Sequence, residues 1–250
     1  MFEFLKHSKN KPARLLVASG GTTSRSAADE HWTLDLRKRY QTISFDFEEK
    51  HVEIGAGITM GGLSDFLISH KRSFPIGLSG KTGLGYILTG GISPLSRSQG
   101  LAIDQILEIS GFWGNGKKFH LSKPKTQKES TFEWKGVCGA AIFLGIITKV
   151  KLKTQPLRSM ISWTATLSPT QLSECINQAE SWPNSLSLQW IWGDYIFAHA
   201  IGEVLDPKNE FKTISLLEKL PYSSNRVIQK IFNMNLLPSL RLDGLEVNNS

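Results

Sequence analysis

The spacing of bare backbone limits this fold more than any other feature. "GLGYILTGGISPLSRSQGL", residues 83–101, places Gly83, Gly85, Gly90 and Gly91 in quick succession, then Pro94, Arg97 and Gly100. A turn needs one or two glycines, so this density lets main chain approach something flat or extended. A second bare stretch, "SGGTTS" at 19–24, follows the short apolar strand "RLLVAS" at 14–19. Its consecutive amides, beside four hydroxyls, make a positive concavity suited to phosphate or pyrophosphate. Alone it also fits an ordinary solvent loop. Two such surfaces together call for a ligand with two parts, such as a phosphate bridge and a ring system.

A third run, "GAGITMG" from Gly55 to Gly61, sits between a strand and a helix. It has three residues between its second and third glycines, where the dinucleotide fingerprint has two. It also lacks the acidic residue that fingerprint carries about 20 positions on, since the chain there reads "RSFPIGL". It reads as a tight strand-to-helix turn.

Alternation marks strands at "HWTLDL" (31–36), "QTISFDF" (41–47) and "HVEIGAG" (51–57). Leu63, Phe66 and Leu67 predict a helix after the last of these. "LAIDQILEISGFW" and "GNGKKFHLS" form a hairpin about Asn115-Gly116. "AIFLGIITKVKLKTQ" (141–155) reads as a strand leaving a core for an edge. Pro156 marks a boundary. Beyond it come the strand "MISWTATL", a helix capped by Ser168 with Pro169 in its first turn, and the paired strands "LSLQWIW" and "YIFAHAIG". These predict a small antiparallel sheet with helices on one face. "EFKTISLLEKL" suits a helix, and "LRLDGLEVNNS" a frayed end.

Composition is that of a globular chain: 250 residues, 40% apolar and 20% charged. No apolar run approaches the roughly 18 residues of a membrane span, and no secretory signal is evident at the amino terminus. Two distant cysteines, Cys138 and Cys175, make neither a disulfide framework nor a zinc site, so a reducing cytoplasm is expected. The net charge of +7 raises nucleic acid as a partner. The one dense basic run, 117–128, lacks the interleaved aromatics of a strand-binding surface, so none is expected. Metal binding is not expected either, because no histidine has an acidic partner at ligand spacing.

In order, "SGGTTS", "VEIGAGITMGGLSDFL", "GYILTGGISPLSRSQGLAIDQILEI", "GNGKKF" and "GAAIFLGIITKVKLKTQP" resemble the FAD-binding domain of the vanillyl-alcohol oxidase and p-cresol methylhydroxylase family. Berberine bridge enzyme and many sugar oxidases share that resemblance, which covers residues 14–156. It implies an α+β, two-subdomain PCMH-type fold with FAD between the subdomains. By the same resemblance Ser19, Gly20, Gly21, Thr22, Thr23 and Ser24 hold the pyrophosphate. Ser79, Thr82 and Gly83 stand beside the ribityl chain or ring, Gly90, Gly91 and Ser93 let backbone pass the isoalloxazine, and Ile147 meets the adenine. Arg97 either braces its loop through carbonyls or touches the flavin.

The departures are specific. Thr22 and Thr23 stand where many relatives tether FAD through histidine, and Ser79 where some add a cysteine, so the flavin is expected to be non-covalent. The family's triple glycine reads Thr89-Gly90-Gly91. Only residues 1–13 precede "RLLVAS", so the FAD-binding domain, 1–156, is expected to lack a complete first strand-helix unit. Residues 157–250 are expected to form a shortened cap of antiparallel sheet and helices.

Flavin carries the redox chemistry, so the protein's part is position, electrostatics and a base. No base is marked. Tyr195 and His199 alternate within one strand and can share a face; both also suit ordinary packing. Trp190 and Trp192 suit a core face or a stacking wall. Asp35 and Asp104 point to structural roles. The expectation is an FAD-dependent oxidoreductase acting on a small alcohol-bearing substrate. The alternative is a degenerate flavin fold that binds ligand or partner without turnover.

Overall fold

The computed structural model describes residues 15–23 and 27–231, which form two compact units. One draws on the described residues up to Phe74, on Ser79–Gly91 and on Leu101–Gln155. The other takes Pro75–Leu78, Ile92–Gly100 and the chain from Pro156 onward.

The first unit is built on a five-stranded antiparallel sheet in the order Ile43–Asp46, His51–Gly55, Gly145–Lys153, Ile106–Trp113, Lys118–Ser122. Its central strands bury Val52, Ile54, Ile106, Ile109, Val150 and Leu152. The hairpin turns at Asn115-Gly116 as read, with Gly116 at φ +81° and the Asn115 carboxamide accepting from the Lys117 amide at 3.0 Å. The helix Met60–Ser69 starts where Thr59 accepts from the Gly62 amide, and it buries Leu63 and Leu67 as their spacing requires. A separate parallel pair, Leu15–Ala18 with Trp32–Asp35, sets Ala18 opposite Asp35.

One strand begins later than its sequence suggests. Ala141–Leu144 end the helix Phe132–Leu144, and extended chain starts at Gly145. Only Ala141 of that apolar run is buried; Ile142, Phe143 and Leu144 are exposed, so apolarity there did not mark a core strand. The helix is also broken inside, where Cys138 and Gly139 leave helical geometry and Gly139 takes φ +109°.

The second unit is a four-stranded antiparallel sheet, ordered Leu186–Trp192, Ile196–Glu203, Met160–Leu167, Ser224–Ile231. Helices Pro169–Ala179 and Pro207–Glu218 cover one face. Ile161, Trp163, Ala165 and Leu167 meet Leu172, Cys175 and Leu217 there, and the alanines at 165, 198 and 200 let the helices come close. The edge strand Ser224–Ile231 carries no sequence signal, being mostly exposed and polar. "LRLDGLEVNNS" lies outside the described residues.

The opposite face divides in two. Pairing sets Gln189, His199 and Thr164 in one row, and Ser187, Ile201 and Ser162 in the next. Segment Ile92–Gly100 satisfies Ser187 and Glu203 on this face. Ser187 donates to the Pro94 carbonyl at 2.6 Å, the buried Glu203 accepts from Ser98 and from Gln99 at 2.8 Å, and Leu95 packs on Met160, Ile201 and Ile231.

The helix Pro169–Ala179 begins in a reciprocal cap. The Ser168 hydroxyl accepts from the Gln171 amide at 3.3 Å, and the Gln171 side chain accepts from the Ser168 amide at 2.9 Å. Ser168→Ala is expected to cost about 1 kcal/mol in urea unfolding; an unchanged midpoint would mean the cap contributes nothing.

Candidate functional site

In the first unit the two glycine-rich stretches meet. A Cβ placed on Gly20 would lie 2.3 Å from the Gly83 nitrogen, and one on Gly83 would lie 2.4 Å from the Gly20 nitrogen. The loops thus touch main chain to main chain, which only glycine at both positions allows. The Ser19 hydroxyl accepts from the Gly85 amide at 3.3 Å and ties them further. On its other side the 79–83 loop is pinned to the helix start, because the Met60 and Gly61 amides donate to the Thr82 and Gly80 carbonyls, both at 2.8 Å. Within it the Ser79 hydroxyl accepts from the Lys81 amide at 3.2 Å, and Thr82 donates to the Ser79 carbonyl.

The amides of Gly20, Gly21 and Thr22 have no hydrogen-bond partner among the described residues. Gly21 sits at φ +66°, and Ser24 lies outside the described residues. Gly90, at φ +118°, has open space where a Cβ would stand. Gly91 does not: a Cβ there would strike Ala102 at 2.5 Å. The Gly91 carbonyl accepts from the Ala102 amide at 3.0 Å, so this glycine serves internal packing. Ile147 is buried on the strand Gly145–Lys153, whose Thr148 carbonyl accepts from Ala56 at 2.9 Å.

Such a site, with bare amides, hydroxyls and an open glycine flank, fits a phosphate-bearing planar ligand. Residues 3–122 match the sequence family described as "FAD binding domain". This part of the chain is similar to FAD-binding domains. FAD is its cofactor. Among curated relatives, the FAD-linked oxidoreductase nodO of Hypoxylon pulicicidum is 32% identical over 163 residues, covering 62% of this chain and 36% of that protein. Berberine bridge enzyme-like 24 of Arabidopsis thaliana is 32% identical over 127 residues, 49% of this chain and 23% of its own. The solved structure of a chitooligosaccharide oxidase superposes with a TM-score of 0.79 at 17% identity, over 99% of this chain and 54% of that one. The chain therefore spans about a third or less of these two curated relatives and about half of that structure. The fold is of the PCMH type, α+β throughout.

Other residues singled out in the sequence fall elsewhere. Ser93 belongs to the second unit, where its hydroxyl accepts from the Leu95 amide at 3.1 Å. Arg97 is also there and donates to the Leu186 and Trp182 carbonyls at 2.8 and 3.1 Å, which is the bracing role. Asp104 caps a short helix by accepting from the Leu101 amide. Tyr195 and His199 do not share surroundings: Tyr195 is exposed beyond the strand end, while His199 is 1% exposed. Trp190 and Trp192, at 44% and 63% exposed, are not core residues, because the helices cover their edge strand only as far as Leu188.

His199 is the functional candidate with the plainest physical oddity. Neither ring nitrogen has a partner, and Gln189 Oε1 and Ser162 Oγ on the same face are also buried without one among the described residues. An orphaned buried polar group costs about 1–3 kcal/mol, and three such side chains share this face. Alternation in "YIFAHA" pointed to His199, but nothing marked Ser162 or Gln189, which join it only through strand register.

Burial pushes the His199 imidazole down from 6.5 to about 3. The unfolded chain takes up this proton below pH 6.5 while the folded chain refuses it until pH 3. Stability from the neutral ring is therefore complete above 6.5 and is lost as pH falls toward 3. Between those limits His199 is expected to lower stability by up to about 1.4 kcal/mol per pH unit. Urea midpoints of wild type and His199→Gln from pH 7 to pH 4 check this: the wild type should fall more steeply, and parallel curves would contradict it.

Proposed function

We propose that this protein is an FAD-dependent oxidoreductase that holds its flavin non-covalently and oxidises a small alcohol-bearing substrate. The convergence of the Ser19–Thr23 and Ser79–Gly83 loops at Gly20 and Gly83 carries the reading. Bound FAD supplies a two-electron acceptor. Gly20, Gly21 and Thr22 offer three main-chain amides to the pyrophosphate, with the Ser19, Thr22 and Thr23 hydroxyls around them and Ser24 continuing the loop in sequence. Ser79, Thr82 and Gly83 flank the ribityl chain, Gly90 leaves a bare surface for the ring, and Ile147 serves the adenine.

Thr22, Thr23 and Ser79 offer hydroxyls where relatives use histidine and cysteine tethers, and a hydroxyl does not make those flavin bonds. In the second unit, neutral His199 and the Gln189 carboxamide hold acceptors, and Ser162 a hydroxyl, suited to the hydroxyl groups of a substrate. A neutral imidazole held far below its ordinary pKa orients an O–H by accepting from it and is a weak proton acceptor. Substrates of the chitooligosaccharide oxidase type, by that protein's name, carry many such groups. Free Cys138 and Cys175 support action in a reducing compartment such as the cytoplasm.

The test is optical. Purified chain incubated with FAD should retain the visible flavin band through gel filtration and release all of it on acid precipitation. Anaerobic addition of a panel of alcohols and oligosaccharides should bleach the band. A chain that stays colourless would remove the flavin reading. A flavin that survives every substrate unbleached would remove turnover.

A further inference from the structure

One cation lies against the phosphate loop, and no motif pointed to it. The parallel pairing of Leu15–Ala18 with Trp32–Asp35 sends both chains out of the strands side by side, and the Leu36 amide still donates to the Ala18 carbonyl at 2.9 Å. The loop after the first strand is therefore neighbour to the turn after the second. Arg37 stands on that turn. A Cβ on Gly21 would lie 2.6 Å from Arg37 Nη1 and 3.1 Å from Cζ, so the guanidinium rests on the bare flank of the glycine.

The guanidinium is held from its other edge. Nε and Nη2 donate to the Asp35 carboxylate at 2.9 and 2.7 Å, and the Arg37 amide donates to the same group at 2.9 Å. The Gln41 carboxamide donates to the Arg37 carbonyl. Arg37 holds the Asp35 carboxyl down at about 2, so the pair stays charged across the physiological range. Nη1 has no hydrogen-bond partner among the described residues, and the side chain is about half exposed. A fork fixed by a carboxylate on one edge presents the other to a second anion without further loss of rotamer freedom.

We infer that Arg37 is a phosphate-binding residue of the FAD site, donating from Nη1 beside Gly21, and that Asp35 positions it. This rests on the flavin reading above. It also explains the glycine at 21, since any side chain there would displace the guanidinium.

Flavin fluorescence titrations of wild type, Arg37→Gln, Arg37→Lys and Asp35→Asn with FAD and with riboflavin, which has no phosphate, test it. Arg37→Gln should weaken FAD at least about ten-fold, leave riboflavin unchanged, and flatten the salt dependence of FAD binding. Arg37→Lys keeps the charge and most of the packing, and should fall between. Asp35→Asn should show a smaller, FAD-specific loss. FAD affinity equal to wild type in Arg37→Gln, or equal losses for FAD and riboflavin, would overturn the inference. Wild-type protein that binds no FAD would instead overturn the flavin reading, and this inference with it.

Discussion

The contact between the backbones of Gly20 and Gly83 is the constraint from which the first unit's chemistry follows. Side chains at either position would hold the two loops apart, and the amides at 20–22 would then open onto water rather than onto a shaped concavity. The contact is braced from several directions: by Ser19 to Gly85, by Met60 and Gly61 to the 79–83 loop, and by the parallel strand pair that aims the first loop. None of these bonds is strong alone. Together they fix bare main chain in one place before any ligand arrives, which lowers the ordering cost of binding.

The second unit solves a different problem. One face of its sheet is a conventional apolar core under two helices. The other buries polar side chains, and the two parts of that face are treated unequally. Glu203 and Ser187 are satisfied by segment Ile92–Gly100, whereas His199, Gln189 and Ser162 are not. A fold tolerates such a cost where function needs unpaired groups. The same segment is held by Arg97, whose three-carbonyl grip on Ala179, Trp182 and Leu186 makes it a brace of this unit.

Much of this was legible in the sequence because the signals were local. Period-two alternation gave Ile43–Asp46 and His51–Gly55 of the five-stranded sheet and Trp32–Asp35 of the parallel pair, Asn115-Gly116 gave the hairpin of the larger sheet, and Ser168-Pro169 gave a helix start that the structure caps reciprocally. The ordered glycine motifs gave the family. What escaped was non-local or double-edged. Ile142-Phe143-Leu144 read as buried strand but ends a helix in exposed positions, since apolarity reports burial only on average. Ser224–Ile231 is an edge strand stabilised by its neighbour rather than by its own composition. Arg37 carries no local signal, because its meaning comes from a glycine sixteen positions earlier. Gly91 carried the opposite lesson: it matched a flavin motif, yet its missing side chain makes room for Ala102.

Hydrogen–deuterium exchange with and without FAD reports on both loops at once. If residues 19–23 and 79–85 share one ligand, their amides should slow together, with the same dependence on FAD concentration, while the strand Ser224–Ile231 stays unchanged. Protection of one loop without the other, or of neither under saturating FAD, would contradict a shared cradle at Gly20 and Gly83.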